Sequence, residues 1–313
     1  MTHWAWLIFS VSILLLLYFD LHFLNPPKKQ VHFKDAILWS GFWIGLALLF
    51  NVGILIWKGR DPALSFLTGY LIEKSLSIDN IFVFLVIFKS LHIPKEHQHR
   101  VLYLGILGAM IMRAIFIAGG VTLLNTFSWT TYIFGAFLII TGIRLFFQKE
   151  SNYNPQHNFL VTFLSKKFRF DQNYTGDQFF ISKQGKTIAT RLLLALIAIE
   201  TADVVFALDS IPAILAVTPD PFIVYTSNLF AILGLRSLYF AFAGIAHQLQ
   251  YLHYGLGVTL VFIGTKMATE HHWKIPTEYS LFIIGAILCT TVFISLLCKR
   301  PPSLHQKADT AHH

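Results

Sequence analysis

LIEKSLSIDNIFVFLVIF at residues 71–88 and ALIAIETADVVFALDSIPAIL at residues 195–215 are apolar enough to cross a lipid bilayer, yet they carry five carboxylates, Glu73, Asp79, Glu200, Asp203 and Asp209. An ionised side chain near the bilayer centre costs at least ~3 kcal/mol on insertion scales and is rarely kept without a partner or a function. The two segments superimpose with Glu73 on Asp203 and Asp79 on Asp209. Each then reads acid, five residues, acid, a small polar residue (Asn80 or Ser210) and an isoleucine (Ile81 or Ile211). A repeated arrangement argues against chance placement.

The whole chain agrees with a membrane setting. Its 313 residues are 55% hydrophobic and only 13% charged, against roughly 25% charged in soluble domains, and its mean hydropathy is +0.60. The fold expected is all-α and polytopic. Apolar runs long enough to span ~30 Å of hydrocarbon as helices fall at about 4–24, 36–57, 65–88, 101–124, 129–147, 188–216, 222–246, 252–268 and 279–298, giving nine spans. The first run lacks a basic leader and a small-residue cleavage site, so it is expected to be a retained span. Cys289 and Cys298, nine residues apart in the last run, form neither a disulfide framework nor a redox motif.

A net charge of +8 raises the possibility of nucleic acid binding, but the basic residues flank the spans, where they set orientation instead. One side of the membrane collects 15 Lys and Arg, including Lys28, Lys29, Lys95, Arg100, Lys166, Lys167 and Arg300, and the other side only Lys58, Arg60 and Lys274. The N-terminus is therefore expected outside and the C-terminus in the cytoplasm, with the hydrophilic 148–187 connection as a solvated cytoplasmic linker. An odd number of spans fits this.

The duplication extends past the acidic helices. GILGAMIMRAIF at 105–116 resembles AILGLRSLYF at 231–240, and GAFLIITGIR at 135–144 matches GVTLVFIGTK at 257–266, pairing Gly135 with Gly257 and Gly142 with Gly264. Three spans per unit oblige the second unit to enter the membrane inverted, an arrangement that places transporter sites near the midplane between the halves. The domains expected are two accessory spans (1–60), a first three-helix repeat (61–150), a loop (151–187), a second repeat (188–270) and a last span with its tail (271–313). Gly105, Gly108, Gly135, Gly142, Gly234, Gly257 and Gly264 are expected to permit close helix packing, and the phenylalanines to face lipid.

On an ideal helix, acids six residues apart are rotated by 240° and lie ~9 Å apart along the axis, so they cannot share an ion. Pro212 suggests an escape, a kink or break around Asp209 that frees backbone carbonyls. Ser75, Ser77, Asp79 and Asn80 are weak helix formers, so the first segment is as open to a break as to continuity. Glu200 and Asp203, three apart, share a face in any case. The polar groups that accompany the acids are the amides of Asn80 and Asn228 and the hydroxyls of Thr201, Ser210 and Ser227. This hard, all-oxygen set suits Mg²⁺, Ca²⁺ or Mn²⁺. The histidines, His97 and His99 among them, lie at loops or span ends, where solvation is expected. Lys74, Arg113 and Arg236 are the charge partners, too few to neutralise five acids; a divalent cation as transported substrate balances the remainder, with no permanently bound cofactor.

EKSLSIDNIFVF, IETADVVFALDSIPAILAV and SNLFAILGLRSLYF resemble the signature helices of the TerC family, and the nine-span layout is most similar to its Alx branch. The resemblance covers roughly residues 60–270. It implies duplicated three-helix units and Mn²⁺ export across the bacterial inner membrane, with associations to tellurite resistance and pH stress. Carried onto this chain, it implies Glu73, Asp79, Glu200, Asp203 and Asp209 as the metal-handling acids; on the export reading Asp79 and Asp209 are expected as central ligands, Glu73 and Asp203 as completing the shell and Glu200 as a proton relay. Two alternatives stand beside export: an intramembrane metal-dependent enzyme using the acids to activate water, and a membrane adaptor in metal, tellurite or pH stress. The partners expected are the cation and the bilayer, with assembly into a homo-oligomer left open.

Overall fold

The computed structural model describes residues 3–19, 33–127, 129–147, 170–171, 176, 178–183, 186–243, 251–269 and 275–297. They form ten helices: α1 (His3–Phe19), α2 (Phe33–Lys58), α3 (Arg60–Ser90), α4 (Lys95–Thr126), α5 (Thr130–Phe147), α6 (Arg191–Leu215), α7 (Pro221–Leu233), α8 (Leu235–Ala243), α9 (Leu252–Thr269) and α10 (Thr277–Leu297). Helix is present in the described part of each of the nine apolar runs. Four helices, α2, α4, α5 and α10, are by themselves long and apolar enough to cross a membrane, and a fifth span is obtained by counting the bent pair α7 and α8 as one. The charges Glu73, Lys74 and Asp79 lower the hydropathy of α3, as Glu200, Asp203 and Asp209 do for α6.

Large apolar side chains cover the outward faces: Leu38, Leu49 and Ile56 on α2, Ile111 and Ile115 on α4, Ile140 on α5, and Phe282 and Leu297 on α10 are exposed. In water such a surface would drive aggregation; in lipid it costs nothing. The phenylalanines divide between surface and interior, because Phe9, Phe66, Phe222 and Phe230 are buried in one aromatic cluster that joins α1, α2, α3 and α7. The expectation that they all face lipid is therefore corrected.

The two acidic helices occupy the middle. α3 lies against α2, α6, α7 and α10, while α6 lies against α3, α4 and α5. Small residues permit the closest approaches. A Cβ added at any of the seven glycines expected to pack closely would meet a neighbour within 3.2 Å. At the α5–α9 crossing, Gly135 approaches the Gly264 carbonyl and Gly142 that of Gly257, so these two helices run antiparallel. By contrast α4 and α6 run parallel, Gly105 meeting Ile199 and Gly120 meeting Ile211 and Leu215.

Three local features bear on the expectations, two as corrections and one, the continuity of α3, as a point left open above. First, α6 runs uninterrupted through Pro212 to Leu215. The proline removes one hydrogen bond a few residues before the helix ends, and residues 210–216 are all buried, so packing holds the backbone. The interruption falls at Gly234, where α7 and α8 meet at 40°. Gly234 is required there because a Cβ would come 2.8 Å from Lys74 Nζ and 3.1 Å from Trp43 Cβ. Second, α3 is continuous: the Ser75 hydroxyl, able to compete with the helix, instead donates to the Leu71 carbonyl one turn back at 2.6 Å. Third, the 148–187 connection contains more than linker. Its described residues form a three-stranded sheet of β1 (Phe170–Asp171), β2 (Phe180–Lys183) and β3 (Lys186–Thr190), in the order β1-β3-β2. β2 pairs antiparallel and β1 parallel to β3, and β3 leads directly into α6. Residues 148–169, Lys28, Lys29, Arg300 and Cys298 lie outside the described residues.

Candidate functional site

Arg113, midway along α4, is the centre on which four helices converge. Its Nη1 donates to Glu73 Oε1 on α3 in a close ion pair, to Asn228 Oδ1 on α7 at 2.7 Å and to Ser210 Oγ on α6 at 3.4 Å. Asn228 Nδ2 in turn donates to Glu73 Oε2 at 3.2 Å. Both Glu73 oxygens are thereby occupied, and Asn228 uses its amide as donor and acceptor at once. Asp203 on α6 completes the group, its Oδ1 lying 3.6 Å from Arg113 Nη2.

Burial makes the cluster energetically consequential. Glu73 and Asn228 are 0% exposed, Arg113 1% and Asp203 7%. Charges withdrawn from water to this degree cost several kcal/mol each unless paired and hydrogen-bonded. Glu73 meets that condition and Asp203 does so only in part, because its Oδ1 carries no hydrogen bond. Arg113 Nε also carries none. One guanidinium thus faces two carboxyl groups, and the next base, buried Arg236, lines a cavity with Asp203.

The other expected residues distribute around this centre. Glu200 lies one turn before Asp203 on α6, its carboxylate resting over Gly108 of α4, where a larger residue would clash. Arg236, buried at the start of α8, lines with Asp203 a small cavity of about 10 Å³, about one water sphere in size. Gly105, Ala109, Ile199 and Ile232 form its apolar wall. Asn80, Ser77 and Ser227 are buried along the same helices. The side chain of Asp79 lies outside the described residues, although its backbone continues α3.

Two of the expected residues lie apart from the Arg113 cluster. Asp209, expected as a central ligand beside Asp79, has Thr141 and Arg144, both on α5, as its polar neighbours. The reason is geometric, since on an unbroken helix six residues carry Asp209 240° around the axis from Asp203. Lys74, expected as a charge partner, forms no ion pair with an acid among the described residues. Its Nζ donates to the Ala231 carbonyl at 3.2 Å, in the last turn of α7, where helix carbonyls lack partners of their own. Among the described residues, no three of the types His, Cys, Asp and Glu come together to hold a metal ion.

Sequence reasoning missed two features. Arg113 emerges as the bridge between both acidic helices, although its position in the first-repeat match to Arg236 had marked it only as one of three bases. His99, expected to be solvated, is 5% exposed and stacks on Phe240 with ring centroids 4.2 Å apart. Next to it Gln98 is held by the Tyr239 hydroxyl at 2.9 Å and by donating to the Ile93 carbonyl at 2.9 Å. No spacing or composition signal distinguishes His99 from the exposed His97 region.

Comparison with known proteins agrees with these features. The model of the integral membrane protein TerC family matches residues 58–303. This chain belongs to the TerC family. Its relatives include an uncharacterized membrane protein of Myxococcus xanthus, 49% identical over 296 residues and covering 94% of this chain and 92% of the relative. Another, from Escherichia coli strain K12, bears the name membrane-bound redox modulator Alx; it is 45% identical over 298 residues, 92% of each chain. An uncharacterized membrane protein of Rickettsia bellii is 41% identical over 295 residues, 94% of this chain and 98% of its own. No solved structure matches. The TerC protein described here is a membrane protein with several apolar helices, and its family and relatives point to a transporter or modulator.

Proposed function

We propose that this TerC protein transports divalent metal cations, Mn²⁺ foremost, outward across the bacterial inner membrane, in exchange for protons. The observation that carries the reading is the convergence of Glu73 and Asp203, from the two matching segments, on one buried polar centre between α3, α4, α6 and α7. Buried intramembrane carboxylates in excess of their bases mark ion pathways. Oxygen-only surroundings, from Asn228, Ser210 and the two acids, favour a hard dication, and Mn²⁺ is the member of that class that the TerC resemblance favours. Transport is preferred to catalysis because, among the described residues, no histidine or cysteine pairs with Glu73 or Asp203. The name of the Escherichia coli relative suggests a redox role instead, but Cys289 is exposed and unbridged, with nothing redox-active described beside it.

The proposal includes nine spans in two inverted three-helix units, α3–α5 and α6–α9, with the N-terminus outside. Helix directions support it: α4 and α6 run parallel, α5 and α9 antiparallel, as alternating spans require. The glycine seam supports it further. The duplication equates Gly135 with Gly257 and Gly142 with Gly264, and a two-fold relation then converts the contact of Gly135 with Gly264 into that of Gly257 with Gly142, which is the second contact present.

The test is intracellular manganese in a strain lacking the protein, complemented with wild type, Glu73→Gln or Asp203→Asn. Wild type is expected to lower the manganese content and both variants to leave it high. Full rescue by both would overturn the proposal.

A further inference from the structure

We infer that Arg113 is the site's resident counter-cation, occupying the place that the transported dication takes and yielding it when the dication loads. This deepens the transport reading and rests on it. The geometry carries it in three steps. Two carboxylates this deeply buried cannot stand without positive charge, and Arg113 is the base placed between them. Its engagement is lopsided: Nη1 serves Glu73, Asn228 and Ser210, whereas Nη2 reaches Asp203 only at 3.6 Å and Nε has no hydrogen-bond partner. A guanidinium built as a permanent clamp presents parallel bidentate bonds to its carboxylates; this one is held closely at one corner, with Asp203 Oδ1 3.6 Å away at the other.

The third step is charge. A guanidinium brings one positive charge to the Glu73–Asp203 pair, and a dication in its place brings two. A small dication also binds carboxylate oxygens at roughly 2.0–2.6 Å, so it would draw in the Asp203 Oδ1 that carries no hydrogen bond in the arginine-filled state. The arginine and the cation thus compete for the same oxygens, and the empty protein can cross its conformational cycle without bare buried carboxylates.

Competition makes a prediction opposite in sign to that of a purely structural arginine. The full-length protein, purified in detergent, is titrated at equilibrium with Mn²⁺ alone. Arg113→Gln is expected to bind Mn²⁺ about tenfold or more tightly than wild type, because a unit positive charge beside the site is gone. Arg113→Lys keeps the charge but loses the fork that reaches both acids, and is expected to fall between the two. Transport by Arg113→Gln should be slower than wild type despite the tighter binding. If wild type binds Mn²⁺ and Arg113→Gln binds it equally or more weakly, the inference fails while the transport reading stands. If wild type binds none of Mn²⁺, Mg²⁺ or Ca²⁺, both fall together. Should Arg113→Gln fail to elute as a single folded species, Arg113→Lys decides on the same criterion, tighter than wild type or not.

Discussion

Gly264→Ala should loosen the α5–α9 seam, and the structure sets the scale. A Cβ at residue 264 would sit 2.6 Å from the Gly135 carbonyl oxygen, 2.9 Å from Ile139 N and 2.9 Å from Ile139 Cγ1. Two of these three atoms are backbone, so no rotamer change relieves the contact. Reaching an ordinary separation of 3.4 Å at the carbonyl requires the helices to part by about 0.8 Å. Overpacking of this kind costs typically ~1–3 kcal/mol, and in lipid there is little hydrophobic gain to offset it, since close packing is what joins the helices. Such a cost changes a folded-to-unfolded ratio by roughly 5–30-fold or more. The assay is unfolding of the detergent-solubilised protein by heat, with Gly285→Ala as control, because Gly285 lies on α10 with nothing within 4 Å of its added Cβ. The control should be neutral or slightly stabilised, as alanine is the better helix former. Gly264→Ala melting together with the control would refute the reasoning that this crossing depends on bare backbone.

Two further substitutions probe the cap and the acids. Asp220 caps α7, accepting from Phe222 N at 3.0 Å and Ile223 N at 3.5 Å, and pairs with Lys58 at 2.6 Å; Asp220→Ala should cost about 1 kcal/mol or somewhat more, whereas Asp220→Asn keeps the cap and should lose less. Equal melting losses for the two would contradict this. Asp203→Asn removes a carboxylate partner from buried Arg113 and should destabilise by roughly 1–3 kcal/mol, while Asp209→Asn, at a half-buried position outside that cluster, should cost under about 1 kcal/mol. Thermal melts of the pair check the ranking; the reverse order would oppose the assignment of Asp203 to the central cluster.

How far the sequence reading reached differs between local pattern and tertiary contact. Apolar runs located the helices, and the matching order of acids and glycines in 71–88, 135–144, 195–215 and 257–266 marked the helices that meet at the core and the seam. The 240° rotation between Asp203 and Asp209 was legible too, but its outcome depended on whether Pro212 opened the helix. That was decided by the burial of residues 210–216, which no single segment reveals. Gly234 looked like one packing glycine among seven, because its task of admitting Lys74 and Trp43 involves residues 160 and 191 positions away. Arg113 was similarly opaque: its partners Glu73, Asp203, Ser210 and Asn228 come from three other helices, and only their packing selects which carboxylates it holds.

The central claim, that Glu73 and Asp203 form the path of a divalent cation, is tested most directly by flux in proteoliposomes. Purified wild type, Glu73→Gln and Asp203→Asn are reconstituted, and Mn²⁺ movement is followed with and without an imposed pH gradient. Wild type should move Mn²⁺, faster when protons flow the opposite way, and both variants should be reduced to the rate of protein-free vesicles. Absence of Mn²⁺ flux in wild type, or flux at the wild-type rate in both variants, would contradict the account.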